Sequence, residues 1–199
     1  MTTRIMFTAL TLATAFAEPL AQGERDRAMS HLHATRKAFL DSVAALSDSQ
    51  WNFKPSPERW SVAECAEHIA VSEDSLFQML QQVLKSPAAP EKMADAKGKD
   101  ELILKVLPDR SVKAQAPEFL QPKRRWPDRE TLIAHFKQSR DRNIAYIQTT
   151  GDDLRSHFME HPLLKTLDAY QIMLLISAHS ERHTAQINEV KSDPNFPKR

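Results

Sequence analysis

The chain has 199 residues, 41% hydrophobic and 27% charged, with a formal net charge of +1, which excludes a disordered polyelectrolyte and suits one domain with its own core. Acidic and basic residues interleave with no basic stripe, so a nucleic-acid partner is set aside. Only three glycines and one cysteine, Cys65, are present, so helices are favoured over tight hairpins and no internal disulfide can form.

Residues 1–17 read as a secretory signal. Arg4 gives a minimal basic start, Ile5 to Ala17 is a run of apolar residues and Thr, and Ala15-Phe16-Ala17 offers a cleavage site before Glu18. The run is too short for a stable membrane span. The expected location is periplasmic or extracellular; the alternative is a cytoplasmic protein with a frayed amphipathic N-terminus.

The first helix is predicted over Glu24 to Ser47, with Met29, Leu32, Phe39, Leu40, Val43 and Leu46 at helical period. A connector with Trp51, Phe53, Pro55, Pro57 and Trp60 follows, its prolines ending any helix and its aromatics capping one end of the core. The second helix starts at Ser61, which forms a capping box with Glu64. Its apolar stripe is Val62, Cys65, Ile69, Leu76, Met79, Leu80 and Val83, and His68 falls on the same side. Cys65 reads as a small core hydrophobe rather than a reactive thiol.

Residues 86–128 carry six prolines and mixed charge, with a short helix expected over Asp100 to Leu107. A connection of this length inside a compact domain tends to be functional or to cover a site. Lys123-Arg124-Arg125-Trp126 reads as a solvated loop with the indole tucked inward. The third helix runs from Asp128 to about Thr150, buries Leu132, Ile133, Phe136, Ile144 and Ile147, and has Gly151 as its C′ residue. A connector from Asp152 to Leu167 leads to a fourth helix that starts at Asp168, with Gln171 completing a cap, and ends before Pro194. No strand signal stands out. Four long amphipathic helices predict an all-α, four-helix bundle over residues 24–197, with a long Pro-containing connection between its second and third helices.

His179 and His183 lie one turn apart on the apolar stripe of the fourth helix, among Ile172, Leu175, Ile176, Ile187 and Val190. Imidazoles in such a row need a partner, and a divalent metal ion is the leading candidate. His68 is the only inward-facing histidine of the second helix. If the two helices run antiparallel, all three rings come level near one end of the bundle. Three histidines leave a coordination position open for water or substrate, the pattern of a catalytic rather than a closed structural site. Glu64, one turn before His68, and Gln186, bordering His183, are candidates to orient the ligands; Glu181 points away. His31, His33, His135, His157 and His161 read as surface or capping residues. Imidazole accepts zinc, nickel, iron or manganese.

Pro57-Glu58-Arg59-Trp60-Ser61-Val62-Ala63-Glu64-Cys65-Ala66-Glu67-His68-Ile69-Ala70 resembles the "WS…E…H" segment of the DinB superfamily, which includes YfiT-like metal-dependent hydrolases. His179-Ser180-Glu181-Arg182-His183-Thr184-Ala185-Gln186-Ile187 resembles its "H-x-x-R-H-x-x-Q-I" helix, and His161-Pro162-Leu163-Leu164 the "HP" entry to that helix. The resemblance implies a four-helix bundle with a divalent ion, zinc or nickel, held by His68, His179 and His183. It also implies a metal-dependent hydrolase or a thiol or other group transferase acting on a small molecule, in a family with many homodimers. The export signal departs from the cytoplasmic thiol-transferring members and weighs against thiol transfer. A non-enzymatic metal-binding or stress-related bundle is the rival expectation.

Overall fold

The computed structural model describes residues 19–111 and 115–198. The expected signal segment, residues 1–17, lies outside the described residues. No described helix is long and apolar enough to cross a membrane.

Four long helices build a four-helix bundle: α1 (Gln22–Val43), α3 (Val62–Val83), α6 (Arg129–Thr149) and α7 (Ala169–Lys191). Shorter helices α2 (Asp48–Asn52), α4 (Met93–Ala96) and α5 (Lys99–Val106) sit in the connections. The helix starts follow from their caps. The Ser61 hydroxyl accepts from the Glu64 amide (3.1 Å), and the Glu64 carboxylate accepts from the Ser61 amide (2.8 Å). Asp168 and Gln171 make the same reciprocal pair at α7, and Asp128 accepts from the Thr131 amide at α6.

Contacts along each helix pair fix its relative direction. The Tyr170 hydroxyl donates to the Glu24 carbonyl and Lys191 donates to the Ser42 carbonyl, so α1 and α7 run parallel. Asp74 meets Ser139 while Phe77 packs edge-on to Tyr146, so α3 and α6 are parallel too. Arg25 at the start of α1 reaches the carbonyls of Ile147 and Thr150 at the end of α6, which makes that pair antiparallel. Likewise His68 meets His183 while Glu73 meets Ser180, so α3 and α7 oppose each other. The length of the 86–128 connection follows from this arrangement. Two parallel neighbours cannot be joined by a tight turn, so the chain must travel back along the bundle before α6 begins.

The core falls into two apolar clusters. One gathers Leu32, Leu80, Ile103, Ile147, Leu154, Ile172 and most of the first half of α7. The other gathers Phe39, Trp51, Val62, Cys65, Ile69, Leu132, Phe136, Ile187 and Val190, with Phe53, Trp60 and Trp126 packed on it. Between them lies a buried polar layer. Arg140, fully buried, donates its Nε to Glu73 (2.9 Å), its Nη1 to the Leu32 carbonyl and the Thr35 hydroxyl, and its Nη2 to Glu73 and Ser180. Asn143 and Ser180 both donate to the Glu73 carboxylate (2.9 and 2.8 Å). Every donor on this guanidinium therefore finds an acceptor on α1, α3 or α7, which is the condition for keeping a charge in such a place.

Three expectations are corrected. The first helix stops at Val43, because Ala45 takes a left-handed φ of 52° and Ser47 caps the separate helix α2. The connector before α7 contains an antiparallel hairpin, β1 (Phe158–His161) paired with β2 (Lys165–Asp168). Its strands are four residues long and lack a clean alternation, so sequence periodicity misses them. Gly151 follows the α6 cap as expected but has no positive φ; the helix ends on Thr150 in an extended conformation.

Candidate metal centre

His68 sits on the second turn of α3, and His179 and His183 near the middle of α7, and antiparallel packing brings the three together. The His68 Nε2 lies 3.2 Å from the His179 Nε2 and 3.1 Å from the His183 Nε2. Their ring centroids are 4.2 to 4.9 Å apart. His68 and His183 are buried and His179 is half-buried, so the cluster reaches the edge of the core.

The outer nitrogens decide the tautomers. The His68 Nδ1 is 2.8 Å from the carbonyl oxygen of Leu120, which can only accept, so Nδ1 carries the proton. The His183 Nδ1 is 2.8 Å from the Gln186 Oε1, and Arg110 also donates to that oxygen, so again Nδ1 donates. Both Nε2 atoms therefore present lone pairs to each other at 3.1 Å. Two such acceptors repel unless a cation lies between them. Metal–nitrogen bonds of about 2.0–2.1 Å at tetrahedral angles set ligand nitrogens roughly 3.3–3.4 Å apart, close to the spacing here. The donor set fits a divalent ion of the imidazole-binding kind. Among the described residues the group holds three ligands and no fourth.

Burial and neighbouring charge keep the three imidazoles unprotonated, the form that metal binding requires. Burial pushes the His68 pKa down to about 4, and burial together with the neighbouring rings and arginines lowers His179 and His183 well below the ordinary histidine value. For each, the unfolded ring binds a proton near pH 6.5 and the folded ring does so only at lower pH. Their contribution to stability is thus complete above about pH 6.5 and falls as the pH drops below it, through about 4 for His68. Thermal melts of metal-stripped protein between pH 7.5 and 4.5 are expected to show this fall. A midpoint that is flat or rises across that window contradicts the assignment.

The walls of the site come from several elements. The Trp60 ring lies 4.9 Å from His68 and 6.1 Å from His183. Arg110 makes a two-pronged ion pair with Glu189 beside Gln186, and Arg182 donates to the carbonyls of Leu107 and Asp109, tying the connection after α5 to α7 rather than standing in solvent. Gln186 borders the ring of His183, its Oε1 contacting the imidazole itself. The Glu64 carboxylate does not meet His68, whose two ring nitrogens face the Leu120 carbonyl and the other imidazoles. That carboxylate is engaged by the Ser61 amide and by Lys54, because a residue at the third helical position reaches back toward the helix start. The orienting group for His68 is instead the backbone carbonyl of Leu120, which residue-type reasoning overlooks. Glu67 was also missed: 5% exposed, it accepts from the amides of Lys123, Arg124 and Arg125. Its place next to His68 in the chain was the available signal.

The other histidines are elsewhere. His135 pairs with Asp74 at 2.6 Å and packs against the half-buried Trp126. His157 contacts the Ser86 carbonyl, and His161 accepts from the amides of Leu163 and Leu164 in the hairpin turn. Cys65 is fully buried and desolvation raises its thiol pKa, which keeps it protonated and inert.

The sequence pattern of the DinB superfamily matches residues 31–187, a span that holds all three clustered histidines. The chain belongs to the DinB superfamily. The chain is also similar to the uncharacterized protein YuaE of Bacillus subtilis strain 168, 28% identical over 163 residues that cover 82% of this chain and 96% of that protein. The solved structure of YfiT from Bacillus subtilis, described as a probable metal-dependent hydrolase with an unusual four-helix bundle topology, superposes with a TM-score of 0.60. It covers 90% of this chain and 93% of its own, at 15% identity, a likeness of fold.

Proposed function

We propose that His68, His179 and His183 hold one divalent ion, zinc or nickel, and that the loaded protein is a hydrolase or group transferase for a small molecule. The observation that carries this reading is the pair of Nε2 lone pairs, 3.1 Å apart, whose tautomers are set by Leu120 and Gln186. The description of YfiT as a probable metal-dependent hydrolase supports the reaction class. The ion supplies Lewis-acid chemistry and a lowered pKa for bound water.

The chain's own residues do the rest. His68 and His183 keep their protons on Nδ1, so both Nε2 atoms stay available. Trp60 screens one side of the imidazoles from water. Three ligands rather than four among the described residues favour turnover over a purely structural ion. The test is hydrolysis of a panel of activated esters, thioesters and amides by stripped, zinc-loaded and nickel-loaded protein. Turnover is expected to need the ion and to vanish in His183→Ala. Turnover that survives both stripping and that substitution overturns the reading. Stripped protein that melts outright, with no turnover in the loaded form, supports the structural rival.

A further inference from the structure

The Lys123–Arg125 cluster has a place in the site that its charge alone does not suggest. Arg124 has a left-handed φ of 57°, unusual for a residue with a side chain. That turn aims three successive amides at one carboxylate: Lys123, Arg124 and Arg125 donate to Glu67 at 2.7, 2.9 and 3.2 Å. The Arg125 guanidinium donates to Glu67 as well (2.9 Å). Its remaining donors go to the carbonyls of Gln121 (2.8 Å) and Phe119 (2.9 Å). Those two residues flank Leu120, whose carbonyl accepts from the His68 Nδ1. Glu67 precedes His68 in α3, so the connection is clamped on both sides of the carbonyl that meets the ligand.

We propose that Glu67 and Arg125 are positioning residues that hold the Leu120 carbonyl against His68, fixing its Nδ1–H tautomer and hence its Nε2 lone pair. A histidine ligand usually donates its other nitrogen to a carboxylate or carbonyl that sets ring orientation and basicity. Here the carbonyl ends a single three-residue 3-10 turn, Glu118–Leu120, within the long connection. Without the clamp it would be free to move, and His68 would exchange tautomers. The guanidinium fork reaches two carbonyls and a carboxylate together, which a lysine cannot do.

The proposal rests on the metal reading for its second readout only. The first is the tautomer of His68 in metal-free protein, observed by long-range 1H–15N correlation of the imidazoles with His68→Gln used for assignment. The second is Co(II) affinity by competition with a chelator. Wild type is expected to show one Nδ1–H tautomer at His68. Arg125→Ala, which leaves Glu67 its three backbone donors, is expected to mix the tautomers and weaken Co(II) binding about 10- to 100-fold. Glu67→Gln is expected to act in the same direction, and Arg125→Lys to recover only part of the loss. A lowered melting temperature in Arg125→Ala with an unchanged tautomer and unchanged affinity overturns the proposal and leaves a structural latch. If wild type itself binds no Co(II), the metal reading fails, while the tautomer comparison still decides the clamp.

Discussion

In protein purified without a histidine tag, His68→Ala, His179→Ala and His183→Ala are each expected to bind Zn(II) or Ni(II) at least about 100-fold more weakly than wild type. The scale follows from the chemistry of the site: losing a group that merely orients a ligand costs 10–100-fold, and a ligand is worth more. Titration calorimetry and elemental analysis after dialysis read this directly. The three single losses are expected to be of similar size, since each Nε2 lies at one corner of the same small triangle. Helical content should hold, because alanine removes an imidazole whose burial is itself unfavourable without an ion. Added metal should raise the melting point of wild type and leave the variants unmoved. Gln186→Ala is the graded control, weakening binding by less than any ligand substitution. If one of the three variants keeps wild-type affinity, the ion is not where the lone pairs point.

The second large effect concerns the polar layer. Arg140→Ala strands a buried Glu73 carboxylate with only Asn143 and Ser180 as donors, and should cost about 3–5 kcal/mol of stability. For a chain of this size that is a fall of roughly 6–20 °C in Tm. Replacing both partners together, Arg140→Met with Glu73→Leu, should recover most of the loss, because it is the unpaired charge rather than the missing contact that destabilises. Urea unfolding of Arg140→Ala and of the double variant measures this. A single-variant cost below about 1 kcal/mol would mean that water reaches the layer.

Much of this was legible in the sequence because it depends on local rules. Ser61 with Glu64, Asp128, and Asp168 with Gln171 mark the starts of α3, α6 and α7 through backbone amides that each cap satisfies. The stripes of Val62, Cys65, Ile69, Leu76 and Leu80, and of Ile172, Leu175, Ile176, Ile187 and Val190, are buried as their period requires. His68, His179 and His183 stood on those stripes, so their meeting needed only antiparallel packing of α3 and α7.

What escaped has physical causes. The parallel pairing of α3 with α6 is a property of the whole chain path, and only the length of the 86–128 connection hinted at it. Glu73 and Arg140 occupy core positions of their helices, one turn after Ile69 and Phe136, yet a charge there reads as a solvated face until its partner is known. The Leu120 carbonyl and the three amides around Glu67 are backbone groups, identical in every residue, so no side-chain pattern announces them. Glu64 was nearer to His68 by helical turn than by reach, since its own cap holds it.

The most direct measurement is a crystal structure of untagged protein soaked in zinc or nickel, with anomalous data collected on both sides of the metal edge. The account predicts a single peak about 2.0–2.2 Å from the Nε2 atoms of His68, His179 and His183, with water or a small ligand completing the coordination. A saturated crystal with no peak between those three rings, or with its peak on other residues, would contradict it.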